Sequence, residues 1–243
     1  KTYVNLESRN TANYRIKEVS SVKGGYYRNT QNLHLLNNDG SGNPTDQWNG
    51  SSYTVKPESA DQNRAGYSRD FNNNNYELNA ESYYKSMQNQ IDYKNGAQIT
   101  FDTAADVESE LLFGKGRAYG LELIAKKKSG KLTGWISYTL SKTERKIDGI
   151  KDNQWYDARQ DKTNDLSVVA TYQLNPKWSF SGLFLYSTGN AVTFPTGKYE
   201  LNGQTVFQYS SRNADRMPAY HRMDLSATYE PVSNKRWKGS WSF

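Results

Sequence analysis

Residues 132–140 read LTGWISYTL, and the way their side chains alternate decides the fold. Leu132, Gly134, Ile136, Tyr138 and Leu140 fall on one side of an extended chain, while Thr133, Ser137 and Thr139 fall on the other with Trp135. Successive side chains of a strand point to opposite faces, so this run makes a ribbon with one apolar and one hydroxyl-rich face. Residues 164–174, NDLSVVATYQL, repeat it, with Leu166, Val168, Ala170, Tyr172 and Leu174 set against Asp165, Ser167, Thr171 and Gln173. In 76–84, YELNAESYY, Tyr76, Leu78, Ala80, Ser82 and Tyr84 oppose Glu77, Asn79 and Glu81. The same period runs through 4–16, 22–27, 119–125, 178–186 and 221–229.

The connections alternate in length. Short ones fall at 17–20, 72–75, 128–131, 175–177 and 232–236, all rich in turn chemistry. Long ones cover 37–62, 94–115, 146–163 and 188–219, lengths uncommon in compact soluble domains. Short turns on one rim and long loops on the other define an outer-membrane barrel, the turns periplasmic and the loops extracellular. The reading is therefore all-β: an antiparallel transmembrane β-barrel of about ten or eleven strands, the last at 237–243. Bacterial barrels close with an even strand count and no free edge. The first and last segments, 4–16 and 237–243, are thus expected not to pair with each other, which makes this a partial barrel.

Composition agrees. Hydrophobic residues make up 35%, mean hydropathy is -0.94, and no apolar run approaches the ~20 residues of a spanning helix. Aromatics nonetheless reach 14%, as interfacial strand ends demand. There is no cysteine, hence no disulfide and no thiolate metal site. The net charge of +6 is dispersed among carboxylates, which argues against nucleic acid as a partner. The chain opens on Lys1-Thr2-Tyr3-Val4-Asn5, already strand-like, so the export signal of such a protein is expected upstream.

Trp48, Tyr53, Trp155, Tyr156 and Arg159 are the candidate ligand contacts, because loops on a rigid scaffold carry function; aromatic girdles at the interface use the same residue types. Asp39, Ser41, Asn43 and Asp46 alternate oxygen ligands in a Gly-rich loop but lack the EF-hand spacing and its terminal Glu, so a polar loop is the reading and no metal is assigned. His34 and His221 are too few for a multi-histidine site and read as structural. Lys126, Lys127 and Lys128 with Lys131 read as a solvated hairpin tip that also meets lipid phosphates. No G-x-S-x-G motif is present; neither an enzyme nor a cofactor is expected.

A family resemblance follows from longer stretches. Residues 110–150, ELLFGKGRAYGLELIAKKKSGKLTGWISYTLSKTERKIDGI, and 155–177, WYDARQDKTNDLSVVATYQLNPK, resemble the C-terminal barrel region of TonB-dependent outer-membrane receptors of the Bacteroidetes type. Residues 56–93 resemble the preceding hairpin, and TGNAVTFPTGKY (188–199) and MPAYHRMDLSATYE (217–230) the following strands. The segment Gly114 to Glu122 is the most specific part. The resemblance implies a plugged 22-stranded barrel, of which this chain is roughly the second half, without the plug. It also implies energised uptake of an extracellular nutrient (siderophore, glycan, peptide or cobalamin), contact with outer-membrane lipid, coupling to the TonB complex through the missing plug, and association with a surface lipoprotein or larger outer-membrane assembly. A small structural or adhesive barrel without transport is the alternative. Two positions depart from the family pattern, Asp157 where Pro is common and Asn164 where His is common, and no role is carried over to them.

Two geometric expectations follow. Leu132, Ile136, Val168, Phe180 and Leu225 should face lipid. The turns at Asn72, Lys128, Asn175 and Asn234 should share one rim, with Trp48, Gly96, Trp155 and Gly203 on the other.

Overall fold

Each tight turn returns the chain beside the strand it has just left. A computed structural model describes residues 2–36, 47–94, 104–231 and 239–243. Its main strands are β1 (Arg9–Lys17), β2 (Ser20–Gln31), β3 (Glu58–Phe71), β4 (Tyr76–Tyr93), β5 (Leu111–Lys127), β6 (Leu132–Ile147), β7 (Asn164–Asn175), β8 (Trp178–Ser187), β9 (Tyr220–Tyr229) and β10 (Trp241–Ser242). Among the described residues these form one antiparallel meander in chain order, to which Tyr156–Asp157 adds beside β6 as the eleventh strand. β1 and β10 lie at opposite ends of this order and do not pair, so the barrel is partial and open.

Ladder register sorts the side chains. Ile136 stands opposite Val168 and Ala125, Leu132 opposite Tyr172, Phe180 opposite Ala227, and Leu225 opposite Gly182, so all five expected lipid-facing residues share one face. That face is solvent-exposed: Ile136 is 50% and Leu225 72% accessible, and Leu78, Leu121, Leu123 and Leu140 are exposed with them. The opposite face is charged yet half-buried, as in β3 and β4, where Arg64, Glu77 and Glu81 alternate with exposed Tyr67, Leu78 and Tyr84. A curled sheet hides its concave side. Apolar groups on the convex side and ions on the concave one invert the arrangement of a water-soluble sheet, and fit a barrel with lipid outside and a polar lumen.

Aromatic rings bound the apolar band. Trp178 stacks near Phe180 and Tyr229 at the short-turn end, and Tyr84 stacks on Tyr119 at the other. From Tyr76 to Tyr84 the strand rises roughly 27 Å, or about 21 Å when tilted ~40°, close to the ~25 Å apolar band of such barrels.

The short turns meet on one rim. Asn72, Asn73 and Asn74 all take positive φ, which asparagine tolerates better than other side chains, and Lys128 N donates to the Asn75 carbonyl at 2.8 Å. Of the lysine run, Lys126 and Lys128 are ion-paired with Glu77, Lys128 also with Asp70, and Lys127 lies over the Tyr76 ring. The long connections gather on the opposite rim as expected; Asn234, Gly96 and the 39–46 oxygen-ligand loop lie outside the described residues.

Several strands outrun the expected limits. β4, β5 and β6 have 18, 17 and 16 residues, more than the ~9 to 11 a crossing needs, so their outer ends stand beyond the membrane. The long connections carry structure of their own: Leu33–Leu36 pairs with Gln47–Gly50, Pro195–Leu201 with Gln204–Tyr209, and Ala191–Val192 with Asp215–Arg216, while α1 (Ala104–Ser109) precedes β5. At the chain's start the expected 4–16 strand shortens, since pairing begins at Arg9 and Val4 and Leu6 are exposed. Among the described residues, water-type cores sit at this long-loop rim, where Val55, Ile91, Tyr93, Val107 and Leu111 form one cluster and Ile147, Ile150 and Tyr156 another. Within lipid no such burial is required; above it the hydrophobic effect returns.

Candidate functional site

The rim site begins with a break in β4. Asn89 takes φ 57, the register slips between Gln88 and Gln90, and the last residues of the strand rotate inward. Asp92 then points into a junction of three elements. Its Oδ1 accepts from Arg212 Nη1 at 3.3 Å and its Oδ2 from the Tyr156 hydroxyl at 2.6 Å, while Arg212 Nη2 donates to the Tyr93 carbonyl at 3.0 Å. The Asp92 and Arg212 side chains are only 8% and 9% accessible. Burial, then the adjacent Asp92 charge, pushes the Tyr156 hydroxyl far above the ordinary phenol range, so it remains a donor at physiological pH.

A second junction lies beside the first. Arg216 Nη2 bonds the Asp157 carboxylate at 2.8 Å and also the Asp161 carboxylate, and its Nη1 donates to the carbonyls of Asp161 and Gly189. Asp161 is fully buried and accepts from Thr143 N at 2.5 Å; Lys142 Nζ lies 2.6 Å from Asp157 Oδ1. Asn213, held at φ 51, donates through its amide to the Asp157 carbonyl. The 148–163 and 188–219 connections are thus clamped to β4 and β6 by buried, hydrogen-bonded charges, where loss of one partner is expensive.

Below these clamps opens a cavity of about 490 Å³, lined among others by Lys85, Gln90, Asp92, Arg145, Arg159 and Glu58. Asp92 is already neutralised by Arg212, and Glu58 accepts from Gln90 at 2.7 Å and lies 3.5 Å from His34. The lining carries the cations Lys85, Arg145 and Arg159 against the carboxylates Glu58 and Asp92. Arg145 donates to the Ile91 carbonyl through Nη1, and its buried Nε has no partner among the described residues.

The candidate contacts are not gathered in one place. Arg159 lines the cavity, and Tyr156 stands buried behind its wall, against Asp92. Trp155 lies on the other side of the sheet, its ring 4.2 Å from the Arg117 guanidinium, whose Nε bonds Glu144 at 2.7 Å. Trp48 and Tyr53 project from the rim, 60% and 82% exposed. His34 is buried against Ser51 and His221 is exposed on β9 opposite Tyr186. Of the two departures from the family pattern, Asp157 joins the second junction and Asn164 bonds Thr188 and Tyr138, tying β7 to the start of the last long connection. Asp92, Arg212 and Arg216 escaped the sequence reading: each is one charge in a loop or strand end, and only folding shows which charges are buried together.

An open antiparallel sheet with an apolar convex face, a charged lumen and a loop-built rim is the wall of an outer-membrane β-barrel. The chain belongs to the family described as TonB dependent receptor-like, beta-barrel, whose sequence pattern matches residues 3–243. No curated protein sequence matches it. Among solved structures it is similar to the ferripyoverdine receptor of Pseudomonas aeruginosa, at 12% identity and TM-score 0.60, covering 92% of this chain and 27% of that one. It is similar to the ferric-catecholate import receptor Fiu from E. coli K12, at 17% identity and TM-score 0.58, covering 94% and 29%. The siderophore receptor PiuA from Acinetobacter baumannii gives 18% identity and TM-score 0.57, covering 92% and 29%. The chain therefore spans less than a third of the length of these structures.

Proposed function

We propose that this chain is the C-terminal part of the barrel of a receptor that takes up an extracellular nutrient by TonB-dependent transport, the remaining strands and the plug being supplied by the rest of the protein. The observation that carries this is the rim: two long connections are locked by buried ion pairs over a cavity on the lumen side, where a ligand from outside would be held before passage. The cavity's volume lies within the range of small-ligand sites. With Lys85, Arg145 and Arg159 against Glu58 and Asp92, and Asp92 paired with Arg212, its lining favours a ligand with an anionic oxygen group, which the guanidinium fork recognises well. Arg159 is the direct contact, Trp48 and Tyr53 sample ligand from the exposed rim, Tyr156 holds Asp92 and so the cavity wall, and Trp155 serves the outward face.

The family is described as receptor-like. The test is uptake by cells carrying the whole receptor, with ferric chelates, cobalamin, oligosaccharides and peptides supplied one at a time, labelled. One of these should accumulate only when TonB is functional, and Lys85→Gln with Arg145→Gln and Arg159→Gln should reduce that accumulation at least tenfold. Accumulation independent of TonB, or undiminished in the triple variant, would overturn the proposal.

A further inference from the structure

The connection between β2 and β3 carries another buried polar cluster, built on the hairpin that pairs Leu33–Leu36 with Gln47–Gly50. The chain leaves this hairpin through a tight turn. Ser52 N donates to the Val55 carbonyl, the Ser52 hydroxyl accepts from Thr54 N and Val55 N, and Val55 is anchored in the rim core. The turn folds the start of β3 back against the hairpin and sets Glu58 beside His34. Two bonds from the register slip in β4 hold that position: Asn89 donates to the Pro57 carbonyl at 2.8 Å, and Gln90 donates to Glu58 Oε2 at 2.7 Å.

His34 is buried, and its two ring nitrogens have unlike surroundings. Nε2 lies 2.9 Å from the Ser51 hydroxyl, within hydrogen-bond reach. Nδ1 lies 3.5 Å from Glu58 Oε1 and has no hydrogen-bond partner among the described residues. A buried polar atom so placed is costly. An ion pair does not account for the spacing, because a charge-assisted hydrogen bond closes to ~2.7 to 2.9 Å. The Ser51 hydroxyl can accept from Nε2–H, and in that tautomer Nδ1 turns a lone pair toward the carboxylate. Two electron-pair donors at this separation have the spacing of two ligands on one metal ion. Bonds of ~2.1 Å to both atoms meet at about 113°, close to tetrahedral.

A third ligand stands on the facing strand. Asn49 is directly opposite His34 in the ladder, so the two side chains share one face of the hairpin, with Cβ atoms ~5 Å apart. The Asn49 amide nitrogen is buried and likewise has no partner among the described residues. Half a turn of that amide puts its oxygen, a metal ligand, in the place of the nitrogen. No third histidine, cysteine or carboxylate joins His34 and Glu58 among the described residues, and the Asn49 oxygen completes the set. We infer that His34, Glu58 and Asn49 bind one divalent transition-metal ion of the zinc type, which an imidazole favours over magnesium or calcium. Ser51 orients the imidazole and Gln90 the carboxylate, as the partners of metal ligands do. Glu58 also lines the cavity, so a fourth position opens to water. The ion ties the rim hairpin to the first residue of β3 and hence to the cavity wall. The inference rests on neither transport nor a ligand in the cavity.

The test uses the whole receptor in detergent, stripped with EDTA and dialysed, with no nutrient and no TonB present. Titration with zinc chloride counts bound ions by elemental mass spectrometry, and cobalt chloride reports their geometry by visible absorption. Wild type and His221→Gln should bind the same number. His34→Gln and Glu58→Gln should each bind one ion fewer and lose the corresponding cobalt band. Ser51→Ala removes only the bond that orients the ring and should weaken that ion ~10-fold to ~100-fold. Zinc at ~100 times its dissociation constant should slow hydrogen exchange at 33–36 and 47–50 by up to ~100-fold in wild type and leave it unchanged in Glu58→Gln. Excess magnesium chloride should do neither. Retained heat-modifiability shows that each variant is folded. Equal ion counts in wild type, His34→Gln and Glu58→Gln overturn the inference, and so does hairpin exchange that zinc leaves unchanged in wild type. The ring and the carboxylate would then be bridged by water alone.

Discussion

Replacing Ile136 by arginine should cripple membrane assembly, whereas the same change one residue later should not. Ile136 lies midway between Leu132 and Leu140 on the exposed face, paired with Val168 on one side and Ala125 on the other. Each end of that run is about 14 Å away along the strand, or roughly 10 Å in height at a ~40° tilt, which places Ile136 near the membrane midplane. An arginine facing lipid at that depth costs about 2 to 4 kcal/mol, which lowers the folded fraction ~30-fold to ~900-fold. Ser137 pairs with Ser167 on the charged lumen face, where an added guanidinium stays hydrated and the change should be under ~1 kcal/mol. Urea titration of the whole protein refolded into lipid vesicles, read by heat-modifiability on gels, measures the difference. Val168→Arg and Ser167→Arg should repeat the contrast from the partner strand. Equal urea midpoints for Ile136→Arg and Ser137→Arg would refute the assignment of faces.

Asp92→Asn should loosen both clamped connections, since breaking a buried ion pair by removing one partner costs about 3 to 5 kcal/mol; proteolysis within 188–219 should accelerate while the barrel stays heat-modifiable. Tyr156→Phe removes only the hydrogen bond to that carboxylate and should be milder, about 1.5 to 3 kcal/mol by the same protease measure. A Cβ at position 189 would overlap the Met217 carbonyl, so Gly189→Ala should displace the Ala191–Val192 pairing with Asp215–Arg216, detectable as faster hydrogen exchange there. In a protein without native cysteine, an impermeant maleimide on intact cells should label cysteine placed at Gly149 or Gly203 and not at Ser129; the reverse pattern would invert the rims.

The membrane-crossing part of the fold was legible because the bilayer imposes unlike faces on a strand. Where lipid meets Leu78, Leu123, Ile136 and Val168 and the lumen meets Glu77, Glu122, Ser137 and Ser167, period two is unmistakable. Beyond Tyr119 both faces are wet, and Gly114, Lys115, Gly116 and Arg117 carry no alternation, so a stretch that is fully paired strand reads as loop. The same reason explains Glu58 to Gln62 at the start of β3. The expected strand at 4–16 failed differently: Val4 and Leu6 alternate correctly, yet pairing with β2 begins only at Arg9, because the Thr30 N that would continue the ladder donates to the Glu7 carboxylate instead, and alternation alone does not supply a neighbour.

The rim resisted reading because its logic is neither periodic nor local. Arg212 and Asp92 are 120 residues apart, and each is an unremarkable charge in a chain with 31 basic and 25 acidic residues. What distinguishes them is burial, and burial in a loop is decided by how three connections happen to meet. Trp155 and Tyr156 make the point most sharply. They are adjacent aromatics in one long connection, and sequence treats them alike. The two-residue strand Tyr156–Asp157 that pairs with β6 sends them to opposite sides of the sheet, the tyrosine inward to Asp92 and the tryptophan outward to Arg117. Strand alternation, which made the barrel legible, therefore also divides the candidate ligand residues, and it sends one of the pair to the concave side and the other to the convex side.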